Sequence, residues 1–163
     1  MGKRNTKLYN VIFPIWLLII VPPMWALILP INYAVDFAVL FYTFRHLNIE
    51  NPKDKAKKVI IKVWLCGFVA DFMGAMLMMV SNSAAGNTRF HKMVGRAMYN
   101  PFKNIYAFGW VAMCVVVTAV LIYLLNYNYC LYNLKLEKIY IRKIALSMAV
   151  FTAPYLFFIP AYF

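Results

Sequence analysis

Long apolar runs alternate with short basic segments along the whole chain. The apolar runs cover residues 8–44, 59–80, 104–126 and 144–163. A helix needs about 20 apolar residues to cross a hydrocarbon core about 30 Å thick. Each of the last three runs therefore predicts one membrane-spanning helix.

The first run, residues 8–44, is too long for one crossing and just long enough for two short ones. Pro22 and Pro23 fall inside it, and Pro30 follows. Proline lacks a backbone donor and clashes with the preceding turn, so it favours a break in a helix. The pattern predicts a hairpin of spans 8–23 and 24–44 that turns at Pro22–Pro23 or at Pro30, with a single crossing as the alternative.

The distribution of Lys and Arg decides between one crossing and two. These residues number 3 in segment 1–7, 6 in 45–62, 4 in 81–103 and 4 in 127–143. A single crossing would place 7 on one side and 10 on the other, whereas the hairpin places 13 and 4. Cytoplasmic loops carry the excess of positive charge. We therefore expect five crossings in the inner (cell) membrane, with a cytoplasmic N-terminus and the C-terminus outside.

Two local features refine this plan. Residues 89–94 follow a polar turn and predict a short helix at the outer surface. Pro154, in the sequence Thr-Ala-Pro-Tyr at 152–155, predicts a kink in the last span.

The composition agrees with a membrane protein. Hydrophobic residues make up 64% of the chain and charged residues 13%, against about 45–50% and about 25% in ordinary soluble domains. The fold class expected is an all-α integral membrane protein, with residues 1–163 forming a single transmembrane domain. The net charge of +12 then indicates anionic lipid as a partner, and no nucleic-acid recognition motif is present.

Two acidic residues, Asp36 and Asp71, lie inside apolar runs. A charged Asp at the bilayer centre costs about 2.5–3.5 kcal/mol on insertion scales, so both should face the bundle interior. No Lys, Arg or His lies within the core of a span. A proton, a cation, polar neighbours or another subunit must then neutralise them. Asn32, four residues before Asp36, would share its helical face.

Small residues around Asp71 predict close helix packing. Gly67 precedes it by four residues and Gly74 follows it by three. Small residues let helix backbones approach in a membrane. We therefore expect the second and third spans, connected by segment 45–58, to pack there and to bring Asp36 and Asp71 together.

Three functional hypotheses follow from the acidic pair. The first is a non-enzymatic channel or transporter, expected to be oligomeric, in which Asp36, Asp71 and Asn32 handle protons or cations. The second is a non-catalytic membrane subunit or anchor that docks a partner protein, with the acids serving helix packing. The third is an intramembrane aspartyl hydrolase, but its Tyr-Asp and Gly-x-Gly-Asp motifs are absent. No cofactor or structural metal site is indicated.

Overall fold

All regular structure in the described part of the chain is helical. The computed structural model describes residues 22–83, 89–95, 97 and 100–160. Its α-helices are α1 (Pro22–His46), α2 (Pro52–Ser83), α3 (Arg89–Val94), α4 (Ile105–Leu125) and α5 (Lys138–Phe151). A π-helical turn, Asn126–Cys130, extends α4, and 3₁₀ turns cover Pro101–Lys103, Tyr132–Leu134 and Tyr155–Phe158.

The four long helices form a closed ring. Helix α1 packs against α2, α2 against α4, α4 against α5, and α5 returns to α1. One buried cluster joins all four helices at the end where α1 meets α2, and it includes Leu40, Ile60, Ile122 and Ile144. A second cluster, with Met78, Val111 and Phe157, fills the opposite end. Each long helix thus buries one stripe and leaves the rest of its surface outside.

Helix α1 tests the turn that was predicted within the first apolar run, residues 8–44. Its backbone is helical from Pro22 through Pro30 to His46, so the chain does not turn at Pro30. Proline fits the first position of a helix, where its missing donor costs nothing. The predicted span 24–44 corresponds to α1, and the predicted span 8–23 lies outside the described residues apart from its last two positions.

The other predicted spans are found with shifted ends. Helix α2 begins at Pro52 rather than at residue 59, because proline and an acidic Asp54 in the first turn suit a helix N-terminus. Helix α4 matches the predicted span 104–126 closely. Helix α5 begins at Lys138 rather than at 144 and ends at Phe151, and the break predicted near Pro154 is confirmed. The predicted short helix over 89–94 is also confirmed as α3.

Among the described residues, three segments are long and apolar enough to cross a membrane: Pro52–Val80, Ile105–Cys130 and Lys138–Phe158. Large apolar side chains also cover the exterior of the bundle. Exposed examples on α2 and α4 are Ile61, Leu65, Val69, Met73, Met76, Val116 and Val120. A contiguous apolar exterior of this kind is unfavourable in water and suits contact with lipid.

The basic segments 45–62 and 127–143 lie at the same end of the bundle. Cys66 of α2 and Cys130 at the end of α4 lie close to each other there, and Thr43 Oγ1 lies 2.7 Å from Ser147 Oγ across α1 and α5. The loop between α1 and α2 reverses the chain at Asn48 and Asn51, which adopt φ of 52° and 50°, a left-handed conformation that Asn tolerates well. We call the end of the bundle that holds segments 45–62 and 127–143 the basic end.

Helices α2 and α4 approach most closely at Gly74. A Cβ atom built there would overlap Thr118 Oγ1 and would lie 3.2 Å from Phe157 Cε2. Thr118 is fully buried and its hydroxyl donates to Cys114 O at 2.9 Å. The side chain that a larger residue would displace is therefore held in place.

We expect Gly74→Ala to lower the free energy of unfolding by about 1–2 kcal/mol, because overpacking outweighs the helix-propensity gain of about 1 kcal/mol. Thermal unfolding in detergent measures the change. Gly109→Ala is the matched control, since nothing lies within 4 Å of a Cβ there, and it should be neutral or stabilising. Equal stability of the two variants would contradict the close approach at Gly74.

The Cys66–Cys130 contact predicts a specific cross-link. Oxidation with copper phenanthroline should join these two thiols within one chain and leave Cys114, which is buried elsewhere in the bundle, as the single thiol that reacts with a maleimide after denaturation. Reductant should restore three thiols. Cys114→Ser should leave the cross-link intact, whereas a cross-link that persists in Cys130→Ser would show that the register between α2 and α4 is different.

Candidate functional site: a buried acidic pair

The α1–α2 interface is fixed beside Pro30. The Trp64 indole of α2 donates to Leu29 O of α1 at 2.9 Å. The same indole meets the Tyr33 ring edge-to-face, with ring centroids 6.0 Å apart. A hydrogen bond and an aromatic contact together orient the two helices along their length.

Asp36 packs directly on Gly67. Its side chain is buried, with 6% of its surface exposed, and its Oδ2 lies 3.5 Å from the position of a Cβ on Gly67. The missing side chain at Gly67 therefore leaves room for the carboxyl group. This places a titratable group of α1 against the backbone of α2 inside the bundle.

Asp71 provides a second, half-buried carboxyl. Its Oδ1 is shielded from solvent and has no hydrogen-bond partner. Asp36 is close enough for the two negative charges to repel each other. Within the described residues, neither carboxylate forms an ion pair with Lys, Arg or His. A buried charge without a partner is strongly unfavourable, so a proton or a cation must balance this pair.

Asp71 lies one helical turn beyond Gly67 along α2. Gly67, which Asp36 contacts, is five residues beyond Lys62, and Asp71 is nine residues beyond it. At 1.5 Å per residue these positions are about 7 Å and about 13 Å from Lys62 along α2. Asp71 therefore lies about one helical turn deeper than the point where Asp36 meets α2.

The remaining predicted site residues fall into two groups. Asn32 is half-buried, and the unbroken helix through Pro30 places it one turn from Asp36 on the same face of α1. Gly67 packs against α1, as described above. Gly74 instead packs against Thr118 of α4, so the two glycines serve two different interfaces.

Asn126 is a polar residue that the sequence analysis did not single out. It is fully buried, its Nδ2 donates to Ile122 O at 2.9 Å, and its Oδ1 has no partner. Helices α2 and α4 are antiparallel, and Cys130 meets Cys66. Asn126, one turn before Cys130, therefore lies at the depth between Gly67 and Asp71.

A spacing of four residues along α4 and its π-helical extension could have indicated in the sequence that Asn126 is buried. The residues spaced by four along α4 and its π-helical extension are all buried, and they are Cys114, Thr118, Ile122, Asn126 and Cys130. In a helix this spacing marks one face. Thr118 and Asn126 are the two polar side chains among these five, whereas Cys114 and Cys130 belong to the buried hydrophobic clusters.

The arrangement can bind a proton or a small cation. The two carboxyls are oxygen ligands of the type that hard cations prefer, and they can also exchange protons. No cluster of three or more His, Cys, Asp or Glu side chains with the geometry of a metal site occurs within the described ranges.

Comparison with known proteins gives no relatives. No family model matches the chain, and no curated protein or solved structure shows significant similarity to it. The function must therefore be argued from the geometry of the site.

The unpartnered amide oxygen of Asn126 predicts a stability effect. Burying an unsatisfied acceptor costs about 1–3 kcal/mol, so Asn126→Leu should raise the free energy of unfolding or leave it unchanged. Asn128→Leu is the control, because Asn128 makes the same bond to the carbonyl four residues earlier at 2.8 Å but is exposed. Destabilisation confined to Asn126→Leu would show that Oδ1 binds a ligand or water.

Proposed function

We propose that this protein is a small, non-catalytic, multi-pass membrane protein that binds and transfers protons or small cations through Asp36 and Asp71, as a channel or transporter. The observation that carries the proposal is the buried Asp71 Oδ1. It has no hydrogen-bond partner. The charged group that acts on it is the carboxylate of Asp36 rather than a cation.

The membrane placement is supported by the exterior of the bundle. Three segments have the length and hydropathy of membrane spans, and the side chains around them are largely apolar and exposed. With the basic end in the cytoplasm, the positive-inside rule is satisfied. Five crossings would then give a cytoplasmic N-terminus and an external C-terminus in the inner (cell) membrane.

Ion handling is supported by the absence of a structural counter-charge in the described helices. Ionisable residues in spans that serve structure usually pair with one another or with a base. Asp36 and Asp71 repel when both are ionised, so the pair takes up a proton or a cation more readily than a single carboxyl would. Such a site changes its occupancy with the ion concentration on either side of the membrane.

The positions of the polar groups suggest a direction of transfer. Asp36 meets α2 nearer to the basic end, and Asp71 lies about one turn deeper. Asn32 is also deeper than Asp36, because α1 runs toward the basic end. We propose that the ion steps from Asp36 to Asp71, with Asn32 as a polar neighbour. A bundle this narrow encloses little water, so the working unit would be a homo-oligomer or a complex with a membrane partner.

A membrane subunit or anchor is the alternative function. The close contact between Asp36 Oδ2 and Gly67 favours it, because protonated carboxyls can stabilise helix packing by roughly 1 kcal/mol each. In that case the acids would hold the helices together, and a partner protein would carry the activity. Asparagine separates the two functions, since it preserves size and hydrogen bonding but removes the titratable charge.

We expect Asp36→Asn and Asp71→Asn each to lower ion flux in proteoliposomes by roughly tenfold or more, because an amide neither ionises nor releases a proton near neutral pH. Flux is measured under separate H⁺, Na⁺ and K⁺ gradients. Asp54→Asn is the matched control, since Asp54 is exposed in the first turn of α2, and it should retain the wild-type flux.

Folding is checked in the same samples by thermal unfolding and by size-exclusion chromatography. Wild-type protein that passes none of the three ions would overturn the proposal in favour of the subunit or anchor. Full flux in both asparagine variants would equally remove Asp36 and Asp71 from the function.

A further inference from the structure

A groove of about 710 Å³ runs along the outside of the bundle between α1 and α5. It begins at the basic end and extends toward the middle of the two helices. Its volume falls within the range of about 300–1,000 Å³ that is usual for small-molecule sites. Neither Asp36 nor Asp71 lines this groove.

The lining of the groove changes in chemistry along its length. On α5, the lining residues Lys143, Ser147 and Phe151 are spaced by four and form one stripe. On α1, His46 lies at the Lys143 end of the groove. The stripe thus passes from a cationic residue through a hydroxyl to an aromatic ring.

The hydrogen bond between Thr43 and Ser147 spans the middle of the groove. Their hydroxyl oxygens are 2.7 Å apart, and both residues are half-buried. The bond joins α1 to α5 and uses the donor of one hydroxyl and an acceptor site of the other. Beyond it, away from the basic end, the groove is lined by Ala38, Val39 and Phe151. This part offers apolar surface to a ligand.

We propose that this groove binds one anionic phospholipid. The phosphate lies at Lys143 and His46, and one acyl chain lies along Ala38, Val39 and Phe151. Charge at one end and apolar surface at the other match the two parts of a phospholipid in the leaflet that faces the basic end. Tyr42, which also lines the groove and is exposed, is of a residue type enriched where membrane proteins meet lipid headgroups.

Charge favours a lipid over a second copy of the chain. The protein carries a net charge of +12, and the groove opens beside Lys143 at the basic end. Two copies that met through their grooves would bring these cations together, whereas an anionic headgroup neutralises them. The inference rests on the proposed membrane placement and is independent of ion handling by Asp36 and Asp71.

Native mass spectrometry of the detergent-purified protein tests the site. Retention of phosphatidylglycerol is compared with that of phosphatidylcholine carrying the same acyl chains. We expect the anionic lipid to be retained preferentially. Lys143→Gln should weaken its binding about fivefold, because one basic residue at the surface contributes about 1 kcal/mol and 1.4 kcal/mol corresponds to tenfold. Arg142→Gln is the matched control, as this exposed neighbour does not line the groove.

Ala38→Phe tests the apolar part without a change in charge. Its ring should occupy the space of the acyl chain and lower retention of phosphatidylglycerol, with the thermal stability of the protein measured alongside. Asp71→Asn should retain the lipid as the wild type does, even if it abolishes ion flux. The ion and lipid proposals can therefore fail separately.

Three results would overturn the lipid site. Equal losses in Lys143→Gln and Arg142→Gln would indicate a diffuse electrostatic attraction. Equal retention of the two lipids by the wild type would remove the role of the anionic headgroup. A dimer that dissociates in Ala38→Phe would show that a second copy occupies the groove.

Discussion

Helix α2 packs against α1 and α4 at two positions where it has no side chain. Gly67 receives the carboxyl of Asp36, and Gly74 receives the hydroxyl of Thr118. Between helices in lipid, association depends on close packing and hydrogen bonding rather than on release of water. At these two points a side chain of a neighbouring helix reaches the backbone of α2, and the two buried clusters supply the rest of the packing between the helices.

The same close packing concentrates polar groups in the interior. Asp36, Thr118 and Asn126 are all buried, and Asp71 has a fully shielded oxygen. Thr118 is satisfied by a carbonyl of its own helix, but the oxygens of Asp71 and Asn126 are not. A bundle selected for stability alone would fill these positions with apolar side chains. In the proposed function, the unpartnered oxygen of Asp71 is the position that a proton or cation occupies.

The groove and the acidic pair lie at different distances from the basic end of the bundle. The basic end collects the termini of α1, α2, α4 and α5 and contains the opening of the lipid groove. The acidic pair lies farther in, with Asp36 nearer to that end. A surface rich in Lys and Arg attracts anionic lipid and repels cations. Anionic lipid bound at Lys143 would neutralise part of the charge that an incoming cation meets before it reaches Asp36.

The sequence by itself determined the helical class, the apolar spans and the burial of Asp36, because length, hydropathy and the cost of a charge in lipid act on each segment separately. It also located the break at Pro154, which is a local backbone effect. Only the tertiary structure decided which helices are neighbours and that Gly74 packs against α4 rather than α1. It also decided that Asn126 lies at the depth between Gly67 and Asp71, and that α1 and α5 leave a groove between them. These features depend on the register between distant segments, which is set by the summed packing of many side chains rather than by any local pattern.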